Sequence, residues 1–383
     1  MVMKTKKTIL FNVSGHGKLS KDRIGGVEKV VLQATESLKN EYKIKLFGDF
    51  PWAPKDIEVI PFSKRMGGSL KHLPSMSLYM LQGLPRMLKV DADAVIYTHQ
   101  RNQLISIFYS KLKKKPLLGW ELDHDPWVEP ATAVKNLYRK LARNADLLAS
   151  MSEEQKKRIV KSGIPAKKVN VIYQGIDANR YKPSAEKEKY ILYVAKFLPR
   201  KNQLNLLKAF KLINDAHPEM RLVLVGPKSG GYTGNKLRTT DYYEECKSFI
   251  QQNLTGAVIH YEDISEEKLI SLFQHALLYC MPSTEEGFGM SLLEAMAAGC
   301  ACIVNNVAPL TEVIGDAGVL VNANRYTDLA DAMKKIIENE GLRQSLQEKA
   351  RNRAREVFSA RAFGRKMTTT IEKLLSKCSE RNE

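Results

Sequence analysis

Short apolar runs of strand length recur along the chain, and after most of them comes a stretch whose apolar positions fall at helical spacing. This alternation predicts parallel α/β layers. In the first half the strand segments are "TILFNVS", "KIKLF", "DAVIYTH", "PLLGWEL", "DLLASMS" and "VNVIY", with helices expected over Val27 to Asn40, Ser75 to Leu88 and Ala133 to Arg143. In the second half "YILYVAKF", "RLVLVG", "AVIHY", "LLYCMP" and "ACIVNN" alternate with helices near Asn202 to Asn214, Tyr242 to Gln252, Ser265 to Gln274 and Met290 to Ala298. From Arg325 onward the pattern is helical only and ends in a basic, amphipathic tail.

Each half is complete by itself, so the pattern predicts two doubly wound, Rossmann-like domains with a ligand cleft at the carboxyl ends of both sheets. The join is expected near "QGIDANRYKPSAEKEKY", where Gly175, Pro183 and a run of charges interrupt the alternation. The expected division is residues 1–183 as the first domain, 184–358 as the second, and 359–383 as a C-terminal helix packing back on the first.

Composition narrows the classes. At 383 residues the chain exceeds one core of usual size. Its 44% hydrophobic and 27% charged residues fit a globular protein. No run approaches the length of a membrane-spanning helix, and the amino terminus reads as a first strand instead of a signal peptide. The five cysteines form no disulfide framework, and Cys300 and Cys302 lack the gap of a zinc or redox pair. A cytoplasmic location is expected, with possible attachment to the cytoplasmic face of a membrane.

Net charge is +18 and lies almost wholly in one half. Through Pro183 there are 33 Lys and Arg against 17 Asp and Glu; the remainder has 27 against 25. That asymmetry suggests an anionic partner for the first half, such as an acidic membrane face or a phosphorylated acceptor. Nucleic acid is not expected, because interleaved surface aromatics and a reading module are missing.

The chemistry concentrates in "TEEGFGMSLLEAMAAG". Glu286 would sit in the loop after a strand, and a helix would begin near Gly289 or Met290 with its free N–H groups aimed where ligands bind. An anion is favoured there. Glu294, about one turn into the helix, would reach the hydroxyls of a ribose anchored at the helix start.

This segment, with "PS" before it and "TEVIGDAGVLV" after it, resembles the retaining nucleotide-sugar glycosyltransferases of family 4, which have the two-domain GT-B fold. The resemblance extends to "RIGGVEKVV", to "NADLLASMSEEQKKRIVKSGIPAKKVNVIYQGID" and to "YILYVAKFLPRKNQLNLLKAF". It implies a hexose or N-acetylhexosamine transferred from a nucleoside diphosphate to a glycan or lipid-linked acceptor, in cell-surface polysaccharide or glycolipid synthesis, without a metal or other cofactor. It makes Glu286 the carboxylate beside the transferred sugar, Glu294 the ribose ligand, and Gly287, Phe288, Gly289, Met290 and Ser291 the cradle of the diphosphate and sugar. Lys196 and Lys201 become the basic pair on the diphosphate, with Lys where the family usually has Arg first. Gly25 and Gly26 become the glycine-rich loop of the first domain. His124 becomes the histidine near the site of transfer, with His99 as its rival. Gln174 stands where Asn is usual.

Alternatives are a nucleotide-sugar epimerase of the same fold and a basic nucleic-acid-binding protein. Asp91 with Asp93, and Asp123 with Asp125, mimic the metal-holding pair of the other major transferase fold. "GPKSGG" from Gly226 lacks the spacing of a phosphate loop and reads as a turn near the base.

Overall fold

A computed structural model describes residues 6–13, 26–48, 56–62, 76–123, 125–128, 130–228 and 239–379. The chain divides into two units, Met1–Gly175 with Ala360–Glu383, and Ile176–Ser359.

In the first unit the elements are β1 (Thr8–Asn12), α1 (Gly26–Leu38), β2 (Lys43–Phe47), β3 (Glu58–Ile60), α2 (Met76–Met87), β4 (Ala94–Tyr97), α3 (Gln100–Lys113), β5 (Leu117–Glu121), α4 (Ala133–Ala142), β6 (Leu147–Ser150), α5 (Glu153–Lys161) and β7 (Val169–Val171). The strands form a parallel sheet in the order β3-β2-β1-β4-β5-β6-β7. The inner strands β4, β5 and β6 are buried at every position, as expected where helices cover both faces of a parallel sheet. Thr132 and Ser152 start α4 and α5 by accepting from the N–H groups of Lys135 and Gln155, each such cap being worth about 1 kcal/mol.

The second unit runs β8 (Glu188–Val194), α6 (Gln203–Ala216), β9 (Arg221–Val225), α7 (Thr239–Asn253), β10 (Val258–Tyr261), α8 (Glu266–His275), β11 (Ala276–Met281), α9 (Met290–Ala297), β12 (Ala301–Asn305), α10 (Leu310–Ile314), β13 (Val319–Val321), α11 (Tyr326–Glu338) and α12 (Glu340–Glu356). Its parallel sheet has the order β10-β9-β8-β11-β12-β13. Chain order reverses between β8 and β11 here, and between β1 and β4 in the first unit; in open sheets these are the points where ligands bind.

The last helix, α13 (Ala360–Ser379), belongs with the first unit. Phe363 stacks on buried Trp120 at 5.9 Å, and Lys377 Nζ donates to the Asp146 carbonyl at 3.4 Å.

The division between units differs from the expected one at Pro183. It falls at Gly175 because Ile176 N–H donates to the Phe358 carbonyl at 2.7 Å and Ile176 bridges Ser359, tying both ends of the second unit together. The pattern of apolar runs also passed over β3 and β13, each three residues long, and over α3, α5 and α10. Among the described residues no helix is long and apolar enough to cross a membrane.

Candidate active site

Two loops leave the carboxyl ends of the neighbouring strands β8 and β11. After β8 the chain makes a 3₁₀ turn over Pro199–Lys201, takes a left-handed conformation at Asn202 (φ 57°) and enters α6. After β11 it runs from Pro282 to Gly289 and enters α9.

Hydrogen bonds stitch these loops together. Thr284 N–H donates to the Arg200 carbonyl at 2.8 Å, and Arg200 Nη1 donates to the Glu285 carbonyl at 3.2 Å. Tyr193, at the end of β8, donates from its hydroxyl to the Lys201 carbonyl at 2.8 Å and lies 2.9 Å from Ser283 Oγ. Asn305 Nδ2 holds the Ser283 carbonyl from the next strand at 3.1 Å, and Asn202 Nδ2 reaches the Ala323 carbonyl at 2.9 Å.

This stitching brings Lys201 Nζ onto Glu286 Oε1 as an ion pair with side chains only 13% and 9% exposed. Burial pushes the Lys201 ammonium below the ordinary lysine value, against the attraction of Glu286. The expected sugar-side carboxylate and diphosphate-side ammonium therefore bond directly to each other, a partnership that spacing alone did not reveal.

Next to this pair, α9 begins at Gly289, whose φ of 102° and ψ of 51° lie in the region that side chains resist. A Cβ there would also come within 2.9 Å of Leu310 Cδ2. Glycine at this position turns the loop sharply into the helix and leaves its start without a side-chain cap. Phe288 is buried, with its ring edge-on to Phe358 at 5.9 Å, so its backbone is what it can offer a ligand. Ser291 Oγ accepts from the Tyr279 hydroxyl at 2.8 Å, and Gly287 and Met290 are half-buried.

Glu294 lies one turn further along and accepts from the Tyr181 hydroxyl at 3.0 Å. Tyr181 comes from the stretch of the second unit that precedes β8 and packs edge-on against Phe273. Burial first, and then the Glu294 charge, push its hydroxyl well above the ordinary tyrosine value. At the other end of α9, Lys187 Nζ donates to the Ala298 carbonyl at 3.3 Å and to the Gln274 carbonyl, which ends α8, at 2.6 Å. A cation at a helix carboxyl end complements the helix dipole.

Lys196 lies just past the end of β8 with an exposed side chain, while its carbonyl accepts from Gln203 Nε2 at 2.8 Å. Gly226 follows β9 with a φ of 145°, and a Cβ on it would collide with the Ala195 carbonyl. The glycine of "GPKSGG" thus serves close approach of two backbones.

In the first unit, Gly25 and His124 lie outside the described residues, and Gly26 is the first residue of α1. His99 is the N-cap of α3: its Nδ1 accepts from Arg101 N–H at 3.1 Å, while Asn102 Oδ1 accepts from its own N–H at 3.0 Å. That is a capping role. Asp93 accepts from Thr8 N–H at 2.7 Å and pairs with Lys7 at 3.3 Å, at the amino end of the sheet and away from where ligands bind. Asp123 accepts from Gln100 Nε2 at 3.0 Å.

Sequence reasoning passed over Glu121, the last residue of β5. It is 6% exposed and accepts from the Tyr97 hydroxyl at 2.8 Å and from Trp127 Nε1 at 3.1 Å. Burial pushes its carboxyl up to about 7, against the two hydrogen bonds. The one signal in the sequence was an acid at the end of an otherwise apolar strand.

Residues 176–353 match the family model "Glycosyl transferases group 1", and residues 24–180 match "Glycosyltransferase Family 4". The D-inositol 3-phosphate glycosyltransferase of Nocardioides sp. is 27% identical over 245 residues, 59% of this chain and 53% of its own. The chain thus spans about half the length of that relative. The fold is similar to that of Anabaena HepE in complex with UDP and glucose, with a TM-score of 0.75 at 19% identity over 96% of this chain and all of the other. It is also similar to sucrose-phosphate synthase from Thermosynechococcus elongatus, with a TM-score of 0.78 at 20% identity over 97% and 100% of the two chains.

Proposed function

We propose that this chain, matched in each of its halves by a glycosyltransferase family model and having the two-domain GT-B fold, transfers a hexose or N-acetylhexosamine from a nucleoside-diphosphate sugar to a glycan or lipid-linked acceptor. The observation that carries the reading is the buried Lys201–Glu286 pair beside the uncapped start of α9, at the reversal point of the second sheet. Bound UDP in a structure of similar fold supports a nucleotide donor.

In this reading the diphosphate takes the N–H groups at the start of α9, where partial positive charge favours an anion. Lys201, with Lys196 at the mouth, opposes the charge that grows on the leaving oxygen, and a fixed cation placed where charge develops lowers the barrier. Glu286 orients the sugar and faces positive charge at the anomeric carbon. Through its ion pair it also keeps the Lys201 ammonium aimed inward. Glu294 accepts from the ribose hydroxyls, its second oxygen held by Tyr181. The family resemblance assigns Gly25 and Gly26 to the phosphate and His124 to the site of transfer. Transfer proceeds with retention: the acceptor attacks on the face the diphosphate leaves, and a departing phosphate oxygen takes the acceptor proton. No metal enters the scheme, because helix amides and lysines supply the counter-charge. The enzyme works at the cytoplasmic face of a membrane, on cell-surface polysaccharide or glycolipid.

A thermal-shift screen with UDP, GDP and ADP and their sugars tests the reading, since a ligand of the folded state raises its stability. One nucleotide family should raise Tm in the wild type and fail to do so in Lys201→Ala. A chain that ignores all three families, or a Lys201→Ala variant that responds fully, overturns it. Product analysis then separates transfer, which frees the nucleoside diphosphate, from epimerisation, which keeps it attached.

A further inference from the structure

Two of the three cations of helix α4 turn inward. Lys135 and Arg139, at i and i+4, point toward the body of the first unit. Arg139 Nε donates to the Pro126 carbonyl at 2.7 Å, and Lys135 Nζ and Arg139 Nη2 both donate to the Val128 carbonyl at 3.4 Å. Val134 and Leu137, at i and i+3, consequently turn outward, 59% and 49% exposed, while Leu141 packs against the core. Only Ala142 of this helix is buried. The adjoining helix α3 adds Phe108 at 44% and Leu112 at 61% exposure.

These four are all the exposed large hydrophobic residues among the described residues of the first unit, and two touching helices carry them all. Scattered apolar residues on a surface need no explanation, but a cluster does.

Charge identifies what covers it. Residues 100–115 and 130–145 contain no Asp or Glu, while Arg101, Lys111, Lys113, Lys114, Lys140 and Arg143 are exposed on the same two segments. A second copy of this chain would set the same cations against one another, which disfavours self-association. Exposed apolar residues sharing two helices with Lys and Arg and no acid are instead the pattern of a surface lying on an anionic bilayer, apolar side chains among the acyl chains and cations among the headgroups.

We infer that α4 and the carboxyl end of α3 form the membrane-facing surface of this protein, seated on acidic lipid through Val134, Leu137, Phe108 and Leu112. The inference deepens the reading of the enzyme as one that acts at a membrane, and it does not depend on the donor chemistry of the second unit.

Flotation of the full chain with vesicles tests it. Wild type should float with phosphatidylcholine containing about one third phosphatidylglycerol, stay behind with phosphatidylcholine alone, and be released by high salt. Val134→Glu with Leu137→Glu should lower partition by about tenfold or more, and so should Lys111→Gln with Lys113→Gln and Lys114→Gln. Leu212→Glu, at a 45% exposed position of the second unit, should float as wild type does. Each variant should keep the wild-type Tm, because none of the changed side chains is buried. Equal flotation of the Val134/Leu137 variant and wild type overturns the inference. So does a concentration-dependent dimer in wild type that this variant abolishes. The nucleotide-induced Tm rise, measured in the same variant, stands or falls separately and reports on the donor site alone.

Discussion

Each unit buries a glutamate at the carboxyl end of an inner strand, and the two have opposite surroundings. Glu286, after β11, meets a buried ammonium; Glu121, ending β5, meets a phenol and an indole. One carboxylate sits in the field of a cation and the other among neutral dipoles. A buried charge with a bonded counter-ion is costly to disturb on either side. A carboxyl held only by neutral donors titrates where burial sends it, here up to about 7. The contrast distinguishes a group fixed for charge chemistry from one that holds a proton in the core near neutral pH.

Removing the cation should have the largest effect. Lys201→Ala leaves Glu286 buried and unpaired, which should lower unfolding free energy by about 3–5 kcal/mol in denaturant titrations. Transfer activity should fall by orders of magnitude, and Glu286→Ala should lower activity comparably. Normal turnover in either variant would break the contrast between the two glutamates.

The next effect comes from pH. The folded state holds the Glu121 proton more tightly than the unfolded chain does, since its carboxyl moves from 4.5 to about 7. This contribution is therefore fully present below 4.5 and is lost as pH rises through about 7. Its full size is about 3 kcal/mol. Glu121→Gln should flatten the decline of stability between pH 5 and 8, and parallel profiles for variant and wild type would refute the assignment.

Tyr97→Phe should cost about 1–2 kcal/mol by removing the donor to Glu121 and leaving Gln103 without its acceptor. Because the Tyr97 bond lowers the Glu121 value, its loss should move the pH-dependent decline upward. Smallest is Tyr181→Phe, which takes one hydrogen bond from Glu294 and should cost about 1 kcal/mol, with a severalfold loss of nucleotide affinity by calorimetry.

The strands that carry the fold were legible because inner parallel strands are continuous apolar runs, as "DAVIYTH" and "PLLGWEL" are. β3 and β13 are edge strands of three residues, too short to show any period. α3 escaped notice because its buried face carries Asn102, Gln103 and Ser106, which bond within the core instead of marking an apolar stripe. In the site, the loop-to-helix junction at Gly289 and the positions of both glutamates were readable, since they depend on residues near in sequence. The partners were not: Lys201 and Tyr181 reach Glu286 and Glu294 across strands, and only the fold brings them there. The same holds for the break at Gly175, fixed by a bond from Ile176 to Phe358.

That break has a consequence for how such a chain can be rebuilt. The polypeptide enters and leaves the second unit through one doorway, Ile176 bridged to Ser359 inside and Gly175 against Ala360 outside. In genetic terms residues 176–359 are a guest cassette within a host. Splicing another cassette between those two codons would pair this host with a different second unit while leaving the host's own sheet, and its final helix, uncut.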